Sequence, residues 1–141
     1  MVEGRWYAMG TDISLPLSLR QEIFARGRDT LDDAAWQVLV YDGDTPAGIA
    51  RLWWQDGAFQ IGDLGVLPQF RGRGYGDLLV RLCLFKALTH AAREIALRSP
   101  AETVPFFARY HFAVEGDGEM IPMRILAKDV ELGHCQGCAG K

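Results

Sequence analysis

The segment that most restricts this chain begins as an apolar stretch, Ala58 to Leu67. It passes through Pro68-Gln69-Phe70 into Arg71-Gly72-Arg73-Gly74-Tyr75-Gly76 and then into a long amphipathic helix. The helix opens at Gly74 or Tyr75 and reaches about Ala92. Its apolar residues Leu78, Leu79, Leu82, Phe85 and Leu88 or Ala92 recur at spacings of three and four, which predicts one buried face. A buried strand feeding glycines and then a helix is a physical device for holding phosphate. Glycine puts no Cβ between main chain and ligand, and the first helical amides are unpaired at the positive end of the dipole. A sharp strand-to-helix turn needs glycine for its geometry even without a ligand, so spacing has to discriminate. Gly72, Gly74 and Gly76 are evenly spaced, whereas a dinucleotide fingerprint closes on a longer gap; the Gly-Lys-Ser or Gly-Lys-Thr of a nucleoside-triphosphate loop is absent.

The rest of the chain supplies a sheet for this segment. Gly4 to Met9 reads as a first strand, and Leu15 to Arg26 as a helix starting at Ser14 with Pro16 in its first turn. After an acidic loop, Asp29 to Asp33, the stretches Trp36 to Tyr41, Ala47 to Trp54 and Ala58 to Leu67 form a meander. Turns at Asp42-Gly43 and Asp56-Gly57 join its strands. Glu94 to Arg98 is a short strand, Glu102 to Tyr110 a short helix, and Phe112 to Val114 with Met120 to Lys128 a closing hairpin. The order is β-α-β-β-β-α-β-α-β-β, read as one domain over residues 1–130 and a tail over 131–141.

With 141 residues, one core suffices. A net charge of -3 disfavours a nonspecific nucleic-acid binder, and the pairing of Arg71 with Arg73 in the glycine turn favours a small phosphorylated ligand. The N-terminus lacks the basic-then-apolar order of a signal peptide and no apolar run is long enough to span a bilayer, so a cytoplasmic protein with no membrane partner is expected. Three cysteines, Cys83, Cys135 and Cys138, agree with a reducing compartment.

Leu64-Gly65-Val66-Leu67-Pro68-Gln69-Phe70-Arg71-Gly72-Arg73-Gly74-Tyr75-Gly76 resembles the acetyl-CoA signature of the GNAT N-acetyltransferase superfamily. That signature is an apolar strand ending in Val-x-Pro, followed by Arg/Gln-x-x-Gly-x-Gly or Ala. Phe106 to Phe112 is similar to the family's later Phe-Tyr-x-x-x-Gly-Phe element, and the similarity covers about residues 47–126, with a looser likeness to small bacterial members. The resemblance implies a single-domain α/β (α+β) fold: a central mixed, mostly antiparallel twisted sheet of six to seven strands with helices on both faces. It implies an acyl-CoA-dependent N-acyltransferase moving acetyl from acetyl-CoA to the primary amine of a small molecule or peptide by direct attack in a ternary complex. A homodimer is allowed, and no metal is expected.

Carried over, Leu64 and Val66 hold pantetheine, Arg71, Gly72, Arg73, Gly74, Tyr75 and Gly76 hold the pyrophosphate, and Phe107 lines the cofactor. A main-chain amide near Val66 stabilises the oxyanion. Phe107 stands where the family commonly has a tyrosine acid, so Tyr110 and His111 are the substitutes; His111 takes the family's usual glycine position. Asp63 and Glu102 are the candidate bases, against a bulge role for Asp63 and a first-turn role for Glu102. Arg51 and Trp53 are candidate acceptor contacts. Two rival readings stay open. One is an acetyl-CoA-binding regulatory module without turnover. The other is a metal or redox role for His134-Cys135-Gln136-Gly137-Cys138, with Cys83, His90 or His111 completing the ligand set.

Overall fold

The computed structural model describes residues 2–131; the segment from His134 to Cys138 lies outside the described residues. Strands β1 (Val2–Tyr7), β2 (Ala35–Asp42), β3 (Thr45–Gln55), β4 (Ala58–Val66), β5 (Glu94–Ser99), β6 (Ala113–Val114) and β7 (Ile121–Leu126) alternate with helices α1 (Ser14–Phe24), α2 (Tyr75–Thr89) and α3 (Val104–Ala108). They build one seven-stranded sheet in the order β1-β2-β3-β4-β5-β7-β6. β4 and β5 run parallel and every other pair antiparallel. The Asp56-Gly57 turn has positive φ at both residues, 54° and 82°, the twist a two-residue hairpin needs.

Alternation along the strands divides the core between the two faces. Val38, Val40, Ala50, Leu52, Ile61, Ile95, Leu97, Met123 and Ile125 turn to α2, whereas Leu39, Tyr41 and Ile49 turn to α1 and its Leu19. The stripe expected on α2 is rotated. Leu79, Val80, Cys83, Leu84 and Ala87 are buried, while Phe85 is 60% exposed. Ten of the fifteen residues of this helix are apolar and they lie all round it, so spacings of three and four fit more than one face, and contact with the sheet selects among them. The acidic loop is also more ordered than expected: Asp29 and Asp32 form a reciprocal capping box on a 3-10 turn, Thr30–Ala34.

Two irregularities open the sheet at its centre. Pairing of β4 with β5 stops at Ile61 opposite Leu97, although both strands continue, to Val66 and to Ser99. Against β3, Arg51 lies opposite Gly62 and Ile49 opposite Gly65, so β4 carries one extra residue there. Asp63 sits in this bulge at φ 48°, a left-handed conformation that only a close set of side-chain partners makes tolerable.

Candidate active site

The glycine turn enters α2 without a cap from any side chain. Gly74, at φ 87°, precedes the helix, and the first helical bond runs from Leu78 N–H to the Gly74 carbonyl at 3.0 Å. The amides from Gly72 to Asp77 therefore have no intramolecular acceptor among the described residues. Gly72 (φ 78°) and Gly74 require glycine for conformation, and a Cβ at either would meet nothing within 4 Å. The space that a side chain would take at either position is open.

Strand β4 contributes a free edge. Leu67 N–H donates to the Ala47 carbonyl of β3 at 2.8 Å, so alternation turns the polar groups of Val66, and of Leu64 before it, toward the gap beside β5. Arg71 fastens this corner by donating from Nε to the Val66 carbonyl at 3.0 Å. A cavity of about 960 Å³ joins the turn, the free edge and both faces of the gap. Among the residues singled out from sequence, Asp63, Leu64, Val66, Arg71, Gly72, Gly74, Tyr75, Gly76, Glu102 and Phe107 line it.

Arg73 and Tyr110 are placed differently. The Arg73 guanidinium pairs with Asp42 at 3.1 Å and lies over the Phe70 ring. Tyr110 packs edge-on against Phe106 and donates its hydroxyl to Asp77 in the first turn of α2. Burial first, then this hydrogen bond to a carboxylate, raises the phenol above its ordinary range. His111 is exposed, pairs with Glu131 at 3.0 Å and has φ 80°, so the glycine usual at this position in the similar family has a conformational reason. Cys83 and His90, named for a metal set, are occupied by packing: Cys83 is fully buried with its thiol pushed up to about 12, and His90 lies against Trp36.

The α1 end of the cavity is held by a charge network. Arg20 donates to both oxygens of Asp32 at 2.8 Å and to Gln37 at 3.0 Å. Arg51 reaches Asp29 at 2.6 Å, Asp32 at 3.1 Å and Asp63 at 3.0 Å. Asp63 also meets Arg20 at 3.4 Å and Arg26. Burial would raise the Asp32 carboxyl, but its bonds to Arg20 and the Asp29 amide hold it well below the carboxylate range. Arg51, expected as an acceptor contact, is 3% exposed and belongs to this network; Trp53 lies over Gly62 instead. Arg20, Asp32 and Gln37 were not singled out from sequence. Their spacing has no local signature, because each comes from a separate element. Arg26, Arg98, Phe24 and Met120, which complete this end of the cavity, were missed for the same reason.

A family model described as the acetyltransferase (GNAT) family matches residues 6–112. Over 111 residues the chain is 24% identical to the uncharacterized N-acetyltransferase YjcF of Bacillus subtilis (strain 168), covering 73% of this chain and 79% of that one. Its fold is similar to an acyl-CoA N-acyltransferase from Pseudomonas aeruginosa, with TM-score 0.78, 19% identity and coverage of 88% and 99%. It is also similar to an acetyltransferase of Elizabethkingia anophelis solved with acetyl-CoA bound, with TM-score 0.74, 14% identity and coverage of 89% and 97%.

Proposed function

The chain belongs to the acetyltransferase (GNAT) family, and from this premise we propose that it transfers acetyl from acetyl-CoA to the primary amine of a small molecule or peptide. One observation carries the reading: the unpartnered amides from Gly72 to Asp77 and the unpaired edge of β4 open into the same cavity. The pyrophosphate lies on those amides, where the α2 dipole favours negative charge. Pantetheine pairs with Leu64 and Val66 as an added strand in the gap that β5 leaves. The thioester then reaches the part of the cavity lined by Asp63 and Phe107.

In the ternary complex the amine nitrogen attacks the thioester carbonyl, the new C–N bond forms and the C–S bond breaks. A main-chain amide near Val66 stabilises the oxyanion between those steps. Asp63 is engaged by three guanidinium groups and serves as their anchor. Glu102, in the same cavity and with no ion pair among the described residues, is the carboxylate placed to take the ammonium proton. Tyr110 is a positioning residue that ties α3 to α2, and the thiolate leaves to be protonated by solvent.

Calorimetric titration with acetyl-CoA, followed by a thiol-release screen over amino acids, polyamines, amino sugars and peptide N-termini, tests the reading. Stoichiometric binding with release on one acceptor class is expected. Binding without release on any amine favours the regulatory module, and no binding overturns both.

A further inference from the structure

The acyl-transfer reading leaves the acceptor open, and this inference rests on that reading. In β5, Ile95 and Leu97 enter the core beneath α2, so alternation puts Arg98 on the opposite, α1-side face, where it is exposed and lines the cavity. The acids Glu94, Glu115 and Asp63 are paired elsewhere. Its cross-strand neighbour is Pro122, and Glu94 on its own strand and Glu115 beyond are both taken by Arg124. Asp63 is already matched by Arg20, Arg26 and Arg51. Arg98 makes no ion pair among the described residues, with Glu102 in the next turn included. In the network, three arginines face the three carboxylates of Asp29, Asp32 and Asp63, so none of those carboxylates is left for Arg98, which lines the cavity as an exposed guanidinium. The same cavity offers apolar lining from Ile23, Phe24 and Met120.

We propose that the acceptor is an amine that also carries a carboxylate and an apolar side chain, and that Arg98 holds the carboxylate. A guanidinium fork matches a carboxylate with two parallel N–H···O bonds, which fixes orientation as well as position. With the carboxylate on Arg98 and the apolar group against Phe24 and Met120, the amine faces the gap through which the thioester arrives. The proposed phosphate site is at the start of α2, whose helix packs on the face opposite to Arg98.

The test is calorimetric titration of protein saturated with CoA by N-acetyl-L-phenylalanine and by N-acetyl-L-phenylalaninamide, in the unmodified chain and in Arg98→Gln. The acid is expected to bind at least about tenfold tighter than the amide, a preference that disappears in Arg98→Gln while CoA affinity stays the same. Equal binding of the two, a preference that persists in Arg98→Gln, binding of neither, or loss of CoA affinity in the variant overturns the proposal. The preceding CoA titration reports on the donor site separately. If CoA does not bind, the acyl-transfer reading fails, and the second titration is read without it.

Discussion

At the α2 end of the cavity, consecutive residues present backbone amides that have no partner, whereas at the α1 end nearly every polar group is a side chain already paired with another. The first arrangement offers an anion backbone donors that a single substitution barely alters, unless it adds a side chain where glycine leaves room. The second is sensitive to deletion at its buried members, because removing Arg20, Arg51 or Asp32 strands an opposite charge away from water. A donor site built from main chain and an acceptor wall built from side chains should therefore fail in different ways.

The largest effect is expected at Asp32. Removing it as Asp32→Ala leaves Arg20 and Arg51 buried without their shared carboxylate, and should cost about 3–5 kcal/mol in urea unfolding. The pH dependence follows from the lowered native value. The carboxylate contributes its full stability above the unfolded pKa of about 3.9 and loses it only as pH falls through the lower native value, so the two proteins should converge only in strong acid. Equal stability of the pair at pH 7 would remove the contrast drawn here.

Next comes the donor end. Gly74→Glu should weaken acetyl-CoA binding by about 100-fold, roughly 2.7 kcal/mol, by placing a carboxylate in the space the amides face. Gly74→Ala, which carries the positive-φ strain without the charge, should lose much less, and calorimetry of both separates the terms. A smaller change is expected for Tyr110→Phe: about 1 kcal/mol of stability from the lost bond to Asp77, with the turnover rate nearly unaltered. A large fall in rate would return Tyr110 to the reaction. Finally, His111→Gly should gain about 1 kcal/mol by relieving a left-handed conformation, visible as a rise in melting temperature.

Much of this was legible in order. Hairpin turns at Asp42-Gly43 and Asp56-Gly57, the strand before the glycines and the helix after them are set by local chemistry, and the expected succession of elements matches the observed one. The boundaries moved by a few residues, as at the short helix expected from Glu102 to Tyr110, which is a 3-10 turn and then α3. The buried stripe of α2 was misread because its apolar residues go nearly all round. The acidic loop gave no sign of its arginine partners, since Arg20 and Arg51 come from α1 and β3.

The sequence by itself determined the glycine turn and helix start proposed to hold phosphate, because backbone donors, glycine conformation and a helix terminus are properties of neighbouring residues. Only the tertiary structure decided the acceptor wall. Whether Asp63 is paired or free, whether Arg51 is exposed or buried, and whether Arg98 finds a partner depend on which distant charges the sheet brings within Coulombic reach, and no local pattern encodes that distance.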